Sequence, residues 1–89
     1  MIGSLKIRIA LKEIISLLKD KDLPETDISI AEKYIKVNEY GLALEHLAEQ
    51  LFEFAIPLNE RLYHSIISAG NLMEITADNF KYLDKFKQL

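Results

Sequence analysis

Residues 38–60, NEYGLALEHLAEQLFEFAIPLNE, constrain the chain more than any other stretch. Set at about 100° per residue, Leu44, Leu47, Ala48, Leu51, Phe52 and Ala55 fall on one side of a helix, the i, i+3, i+4, i+7 spacing of a buried stripe. Phe54 lies at the edge of that stripe. Glu45, Glu49 and Glu53 recur every four residues on the other side, with His46 and Gln50 beside them and Leu42 close by. Like charges at this spacing cost an isolated helix roughly 0.2–0.5 kcal/mol per pair. No Lys or Arg within a turn relieves them. Two readings stay open: a solvated face built of good helix formers, or an acidic ridge shaped for a basic partner. In either case the apolar stripe has to be covered by the rest of the chain.

The flanking segments supply that cover. Residues 4–20 read as a first helix with Ile7, Leu11, Ile14, Ile15 and Leu18 on its apolar face, although Leu5, Ile7 and Ile9 also alternate in the manner of a short extended start. Leu23-Pro24 breaks the chain. A second helix begins near Pro24–Asp27, with Thr26 or Asp27 as N-cap and with Ile28, Ala31, Ile35 and Tyr34 facing inward. It stops near Asn38, which tolerates a left-handed backbone. The short link to the central helix implies an antiparallel pair.

Pro57 ends the central helix. Asn59 is placed to cap a fourth helix, with Leu58 and Tyr63 at the positions of a hydrophobic staple. That helix carries Leu62, Ile66, Ala69 and Met73, and Gly70 beside them either lets another helix approach closely, the favoured reading, or marks an earlier helix end. Thr76 is placed to cap a last helix holding Phe80, Leu83 and Phe86. The expected fold is all-α: one domain over residues 1–89, a compact bundle of about five short helices in an antiparallel helix-hairpin arrangement.

Composition narrows the partners. There is no cysteine, so disulfides and thiolate chemistry are excluded. The longest apolar runs are far too short for a membrane span, and no signal-peptide core is legible at the N-terminus. The expectation is a cytoplasmic protein that works without a membrane. Residues 1–21 hold five basic and two acidic side chains, a net of +3, whereas residues 22–61 hold three basic and nine acidic, a net of −6. A negative middle argues against nucleic acid, whose phosphates need clustered Lys and Arg. It favours a basic protein surface.

A search for chemistry finds little. His46-Leu-Ala-Glu49 lacks the second histidine of a zinc-protease motif, and no His, Asp or Glu cluster has metal-ligand spacing. His46 and His64 read as structural or surface residues. Gly3, Gly41 and Gly70 are isolated, so no phosphate cradle forms. The glutamates of the central helix stand on an open convex face, without the burial that tunes a catalytic carboxylate. No catalytic residue, cofactor or metal is expected. Tyr40, at a turn, is the tyrosine expected to be most exposed, and aromatic residues are common interface anchors.

The run Tyr40-Gly41-Leu42-Ala43-Leu44-Glu45, followed by Leu47, Gln50-Leu51, Glu53, Ile56-Pro57-Leu58, Tyr63 and Ile66, resembles the MafI-type immunity proteins of contact-dependent growth inhibition and related polymorphic toxin systems. The resemblance covers roughly residues 25–75, and its specificity lies in the order and spacing of the pieces. Phe54-Ala55 departs from it, standing where the family pattern is more polar. The resemblance implies an antitoxin that binds the C-terminal toxin domain of an effector, commonly an RNase, and occludes a basic surface. On that basis the partner-binding residues are expected to be Glu39, Tyr40, Glu45, His46, Glu49, Glu53 and Glu60, in a monomer or weak homodimer. The competing expectation is a small helical adaptor or regulatory protein-binding module with no toxin partner.

Overall fold

Each helix buries the stripe that its sequence spells out. The structure, a computed structural model, describes residues 3–88. Gly3–Leu18 (α1), Glu25–Lys36 (α2), Tyr40–Glu53 (α3) and Glu60–Leu72 (α4) are α-helices, and Ala77–Phe86 forms a closing 3-10 helix. Leu11, Ile14, Ile15 and Leu18 of α1 meet Leu44, Leu47, Ala48 and Leu51 of α3 and Leu62, Ile66 and Ala69 of α4 in one core. The α2–α3 pair forms a helical hairpin, α1 lies along α4, and α1 touches α2 only narrowly. The Cα radius of gyration, 11.9 Å, is close to the roughly 12 Å of a single globular domain of this length. The all-α bundle expected from the sequence is the fold observed.

Several local expectations need correction. The N-terminal segment is helical from Gly3, not extended, and it leaves Leu5 and Ile9 on the outer face. The helix closes at Leu18, two residues early. The N-cap of α2 is Pro24; Thr26 and Asp27 lie inside the helix, and Asp27 turns inward. Phe52 and Ala55 are not core residues: Phe52 stands on the flank of α3, and Ala55 lies beyond the helix end. Ala43, unassigned by the wheel, is fully buried. Thr76 occupies the N-cap position of the last helix without capping it through its side chain; instead Asn79 Nδ2 donates to the Thr76 carbonyl and hydroxyl at 3.2 and 3.3 Å. Asn59 does cap α4, its Oδ1 accepting from the Leu62 amide at 2.8 Å.

Three helices end the same way. After α2, α3 and α4 the chain passes through one residue with φ of 65° (Asn38), 51° (Ala55) and 61° (Glu74). The next amide reaches back five residues: Glu39 to Tyr34 at 2.8 Å, Ile56 to Leu51 at 3.0 Å and Ile75 to Gly70 at 2.8 Å. These are Schellman closures, which satisfy carbonyls left over at a helix end. Glycine is the usual occupant of the left-handed position, because a Cβ there costs roughly 1–2 kcal/mol. Ala55→Gly is therefore expected to stabilise the fold by about 1 kcal/mol, a rise in Tm of roughly 4–8 °C for a domain this size. Gly41 is the reverse case: it sits in the first turn of α3 with open space where a Cβ would project. Gly41→Ala is expected to add a similar increment from helix propensity. Thermal melts of the two single variants and of the double variant check both.

The 3-10 helix follows from a period of three. Phe80, Leu83 and Phe86 lie three apart, and only at about three residues per turn do such side chains stack in one row. Phe80 and Leu83 are fully buried. Gly70 admits this element as expected: a Cβ on Gly70 would stand 2.8 Å from Phe80 Cε2 and 3.0 Å from the Ile75 carbonyl. The far end is tied to the α3–α4 turn. The Leu58 amide donates to the Phe86 carbonyl at 2.9 Å, and the Gln88 amide donates to the Leu58 carbonyl at 2.7 Å. Tyr63 Oη donates to Asp84 at 2.9 Å, and the Lys87 ammonium lies 4.3 Å from the Tyr63 ring centre. Burial, then the bond to Asp84, pushes the Tyr63 phenol above its ordinary pKa.

Candidate functional site

The outer strip of α3 is the most distinctive surface of the bundle. With Leu44, Leu47, Ala48 and Leu51 committed to the core, Glu45, Glu49 and Glu53 are directed outward, and all three are exposed. Leu42, one turn before Glu45 and 44% exposed, projects from the same strip. The ion pairs within 4 Å among the described residues are His46–Asp27, Arg61–Glu13 and His64–Glu60. None of them neutralises the three α3 glutamates.

One edge of the strip is aromatic. Phe52, expected in the core, is 37% exposed because only the 3-10 helix covers it, and only on one side. Its ring packs edge-on against Tyr82 at 5.4 Å between centres and against Phe86 at 5.6 Å. The Lys85 ammonium sits over two of these rings, 5.2 Å from the centre of Phe52 and 5.6 Å from that of Phe86. Burial raises the Tyr82 pKa, and the fields of Glu49 and Glu45 raise it further, so the phenol stays protonated beside the carboxylates. Ring faces that already hold one cation, next to unpaired carboxylates, form a surface chemically suited to ammonium and guanidinium groups.

The other edge is turned inward. The Asp27 residue is 6% exposed, and its Oδ1 accepts from His46 Nε2 and from Gln50 Nε2, each at 2.9 Å. An ionised carboxylate only accepts, so the imidazole presents an Nε2–H to it. His46 also meets the Tyr34 ring edge-on at 6.5 Å. This cluster pins α3 to α2. Asp27→Ala strands two donors at a part-buried seam and is expected to cost about 1–3 kcal/mol. Urea titration reads this as a lower midpoint at unchanged slope.

The residues expected to bind a partner are thus divided. Glu45, Glu49 and Glu53 share one exposed strip. His46 is half-buried and engaged with Asp27, not presented beside the glutamates. Tyr40, expected to be the most exposed tyrosine, is half-buried instead. Its hydroxyl donates to Asn38 Oδ1 at 2.8 Å, accepts from Arg8 Nη2 at 3.0 Å and lies 3.3 Å from Ser4 Oγ. Hydrogen bonding from Ser4, then from Arg8, lowers its pKa. Tyr40 latches α1 to the α2–α3 turn. Glu39 is exposed at the N-cap position of α3. Glu60 belongs to the start of α4, where it pairs with His64 at 3.8 Å and lines a separate shallow cavity with Leu58, Tyr63 and Lys87. The aromatic edge escaped the sequence reading, since the signal for it was the three-residue spacing of the last segment. No cluster of three metal-ligating side chains and no helix long and apolar enough to cross a membrane occurs among the described residues.

Fold and surface together define a small helical bundle with an acidic strip and an aromatic edge. Compared with known proteins, the chain matches no family model, no curated protein and no solved structure.

Proposed function

We propose that this chain is a binding protein that caps a basic surface of another protein in a one-to-one complex. The observation that carries this reading is the row of unpaired, exposed glutamates on α3 lying against the Phe52–Tyr82–Phe86 rings. The row would accelerate encounter with a positive surface, and the half-exposed rings would supply the apolar anchors that slow release. The resemblance of roughly residues 25–75 to MafI-type immunity proteins gives the partner a class: the C-terminal toxin domain of a contact-dependent growth inhibition effector, an RNase held inactive in the cytoplasm of the cell that makes it. That part rests on the residues that carry the resemblance. The carboxylates would then stand where RNA phosphates bind.

Co-expression with the toxin domain encoded beside this chain, followed by affinity purification and an RNase assay, tests the proposal. A stable one-to-one complex without RNase activity supports it. Failure to form a complex at micromolar concentration removes the toxin and leaves the adaptor reading, in which the same face binds a different basic protein.

A further inference from the structure

We propose that the cleft between α1 and α2 receives the glutamate row of a second copy of this chain, pairing two molecules through the surface used for partner binding. The cleft exists because α1 and α2 barely touch. It encloses about 510 Å³, with the nearly buried side chains of Ile15 and Ile35 at its base and Arg8, Lys12, Lys19 and Lys36 around it; Glu32 is its one carboxylate. Lys12, Lys19 and Lys36 are exposed, and no carboxylate lies within 4 Å of their ammonium groups among the described residues. Arg8 is held in place by Asn38 and Tyr40 at 2.9 and 3.0 Å.

An apolar floor between cationic walls selects a ridge that is acidic and carries an apolar side chain. The chain has such a ridge: exposed Leu42 followed by Glu45, Glu49 and Glu53. The dimensions match. Arg8 to Lys19, the residue after the end of α1, and Leu42 to Glu53 each span eleven residue steps, about 16 Å at the α-helical rise. Arg8 and Lys12 are four residues apart, the same step as the glutamates. Each copy offers one cleft and one row, so a twofold pairing that uses both makes the contact twice and closes at two copies. Exposed ion pairs are individually weak and screened by salt. The pair is therefore loose and salt-sensitive, and a partner that takes the glutamate row dissolves it.

This inference rests on the proposed use of the acidic row but can be tested on the chain alone. Sedimentation equilibrium at low salt is expected to show the average mass rising with concentration toward twice the 10.3 kDa of one chain, and the rise is expected to vanish in high salt. The triple variants Lys12→Glu/Lys19→Glu/Lys36→Glu and Glu45→Lys/Glu49→Lys/Glu53→Lys are each expected to be monomeric. Mixed together they restore complementary charge at both contacts and are expected to pair again. A wild type that stays monomeric throughout, a pair indifferent to either reversal, or a mixture that does not associate overturns the proposal. Circular dichroism on both variants separates loss of pairing from loss of fold. The cleft variant is expected to keep its capture of a basic partner; if wild type pairs but no partner is captured, the partner reading alone fails.

Discussion

Glu45, Glu49 and Glu53 replaced together by lysine are expected to weaken capture of a basic partner at least about 100-fold, close to 3 kcal/mol, while leaving the helical spectrum unchanged. The three side chains are exposed and make no internal ion pair, so the bundle loses nothing it was using. Three attractions across the interface become three repulsions. The loss should appear mainly in the association rate, and the steep salt dependence of the wild-type rate should flatten or invert. Phe52→Ala and Tyr82→Ala provide the contrast: these rings are anchors, so their loss should speed dissociation and leave encounter nearly unchanged. Surface plasmon resonance at two ionic strengths separates the two signatures. Wild-type kinetics in the glutamate variant would mean that the row is solvated surface and that the interface lies elsewhere.

The second large effect concerns the fold. Gly70→Val is expected to destabilise the domain by about 3 kcal/mol, a fall in Tm of roughly 12–24 °C. A Cβ at this position meets the ring of Phe80, which is almost wholly buried, and the Ile75 carbonyl, which is backbone; neither has room to retreat. The same glycine carbonyl accepts the Ile75 amide at 2.8 Å that closes α4. Phe80→Leu in the same molecule removes the ring and should recover part of the loss, so the two substitutions should be clearly non-additive. Thermal denaturation of both single variants and the double variant checks this. Additive losses would show that the strain at Gly70 arises from the backbone and not from the ring.

How far the sequence foretold these results depends on what each residue answers to. The core stripes were legible because an α-helix imposes one period on every side chain, and Leu44, Leu47 and Leu51 obey it without exception. Asn59 and Asn38 were legible for a related reason, since a cap and a left-handed closure are local chemistry. Ala55 was not legible: its backbone has the conformation preferred by glycine, and the chain takes it to turn Ile56 into the core. Asp27 read as a cap because acidic residues suit helix starts, whereas its partners, His46 and Gln50, lie 19 and 23 residues away on another helix. Phe52 was assigned to the core because a wheel records which side of a helix a residue occupies but not how much of that side a neighbour covers. The glutamate row was read correctly as exposed; its aromatic edge was missed because Phe80, Leu83 and Phe86 were read at the α-helical period.

The closing 3-10 helix sets an order of opening. At about 2 Å per residue its ten residues reach roughly 20 Å, where an α-helix of the same length would cover 15 Å. That extra length lets it run from Gly70 to Leu58 as a brace across the bundle. Long 3-10 runs have poorer hydrogen-bond geometry than α-helices, so this brace should be the first unit to open while α1 to α4 remain protected. It carries Tyr82, Phe86 and Lys85, all of the aromatic edge except Phe52. A partner that settles on that edge would therefore slow amide exchange most in residues 77–86, well before it alters exchange in the core of α3. The part of the surface that grips would thus also report, through its own protection, that something has been gripped.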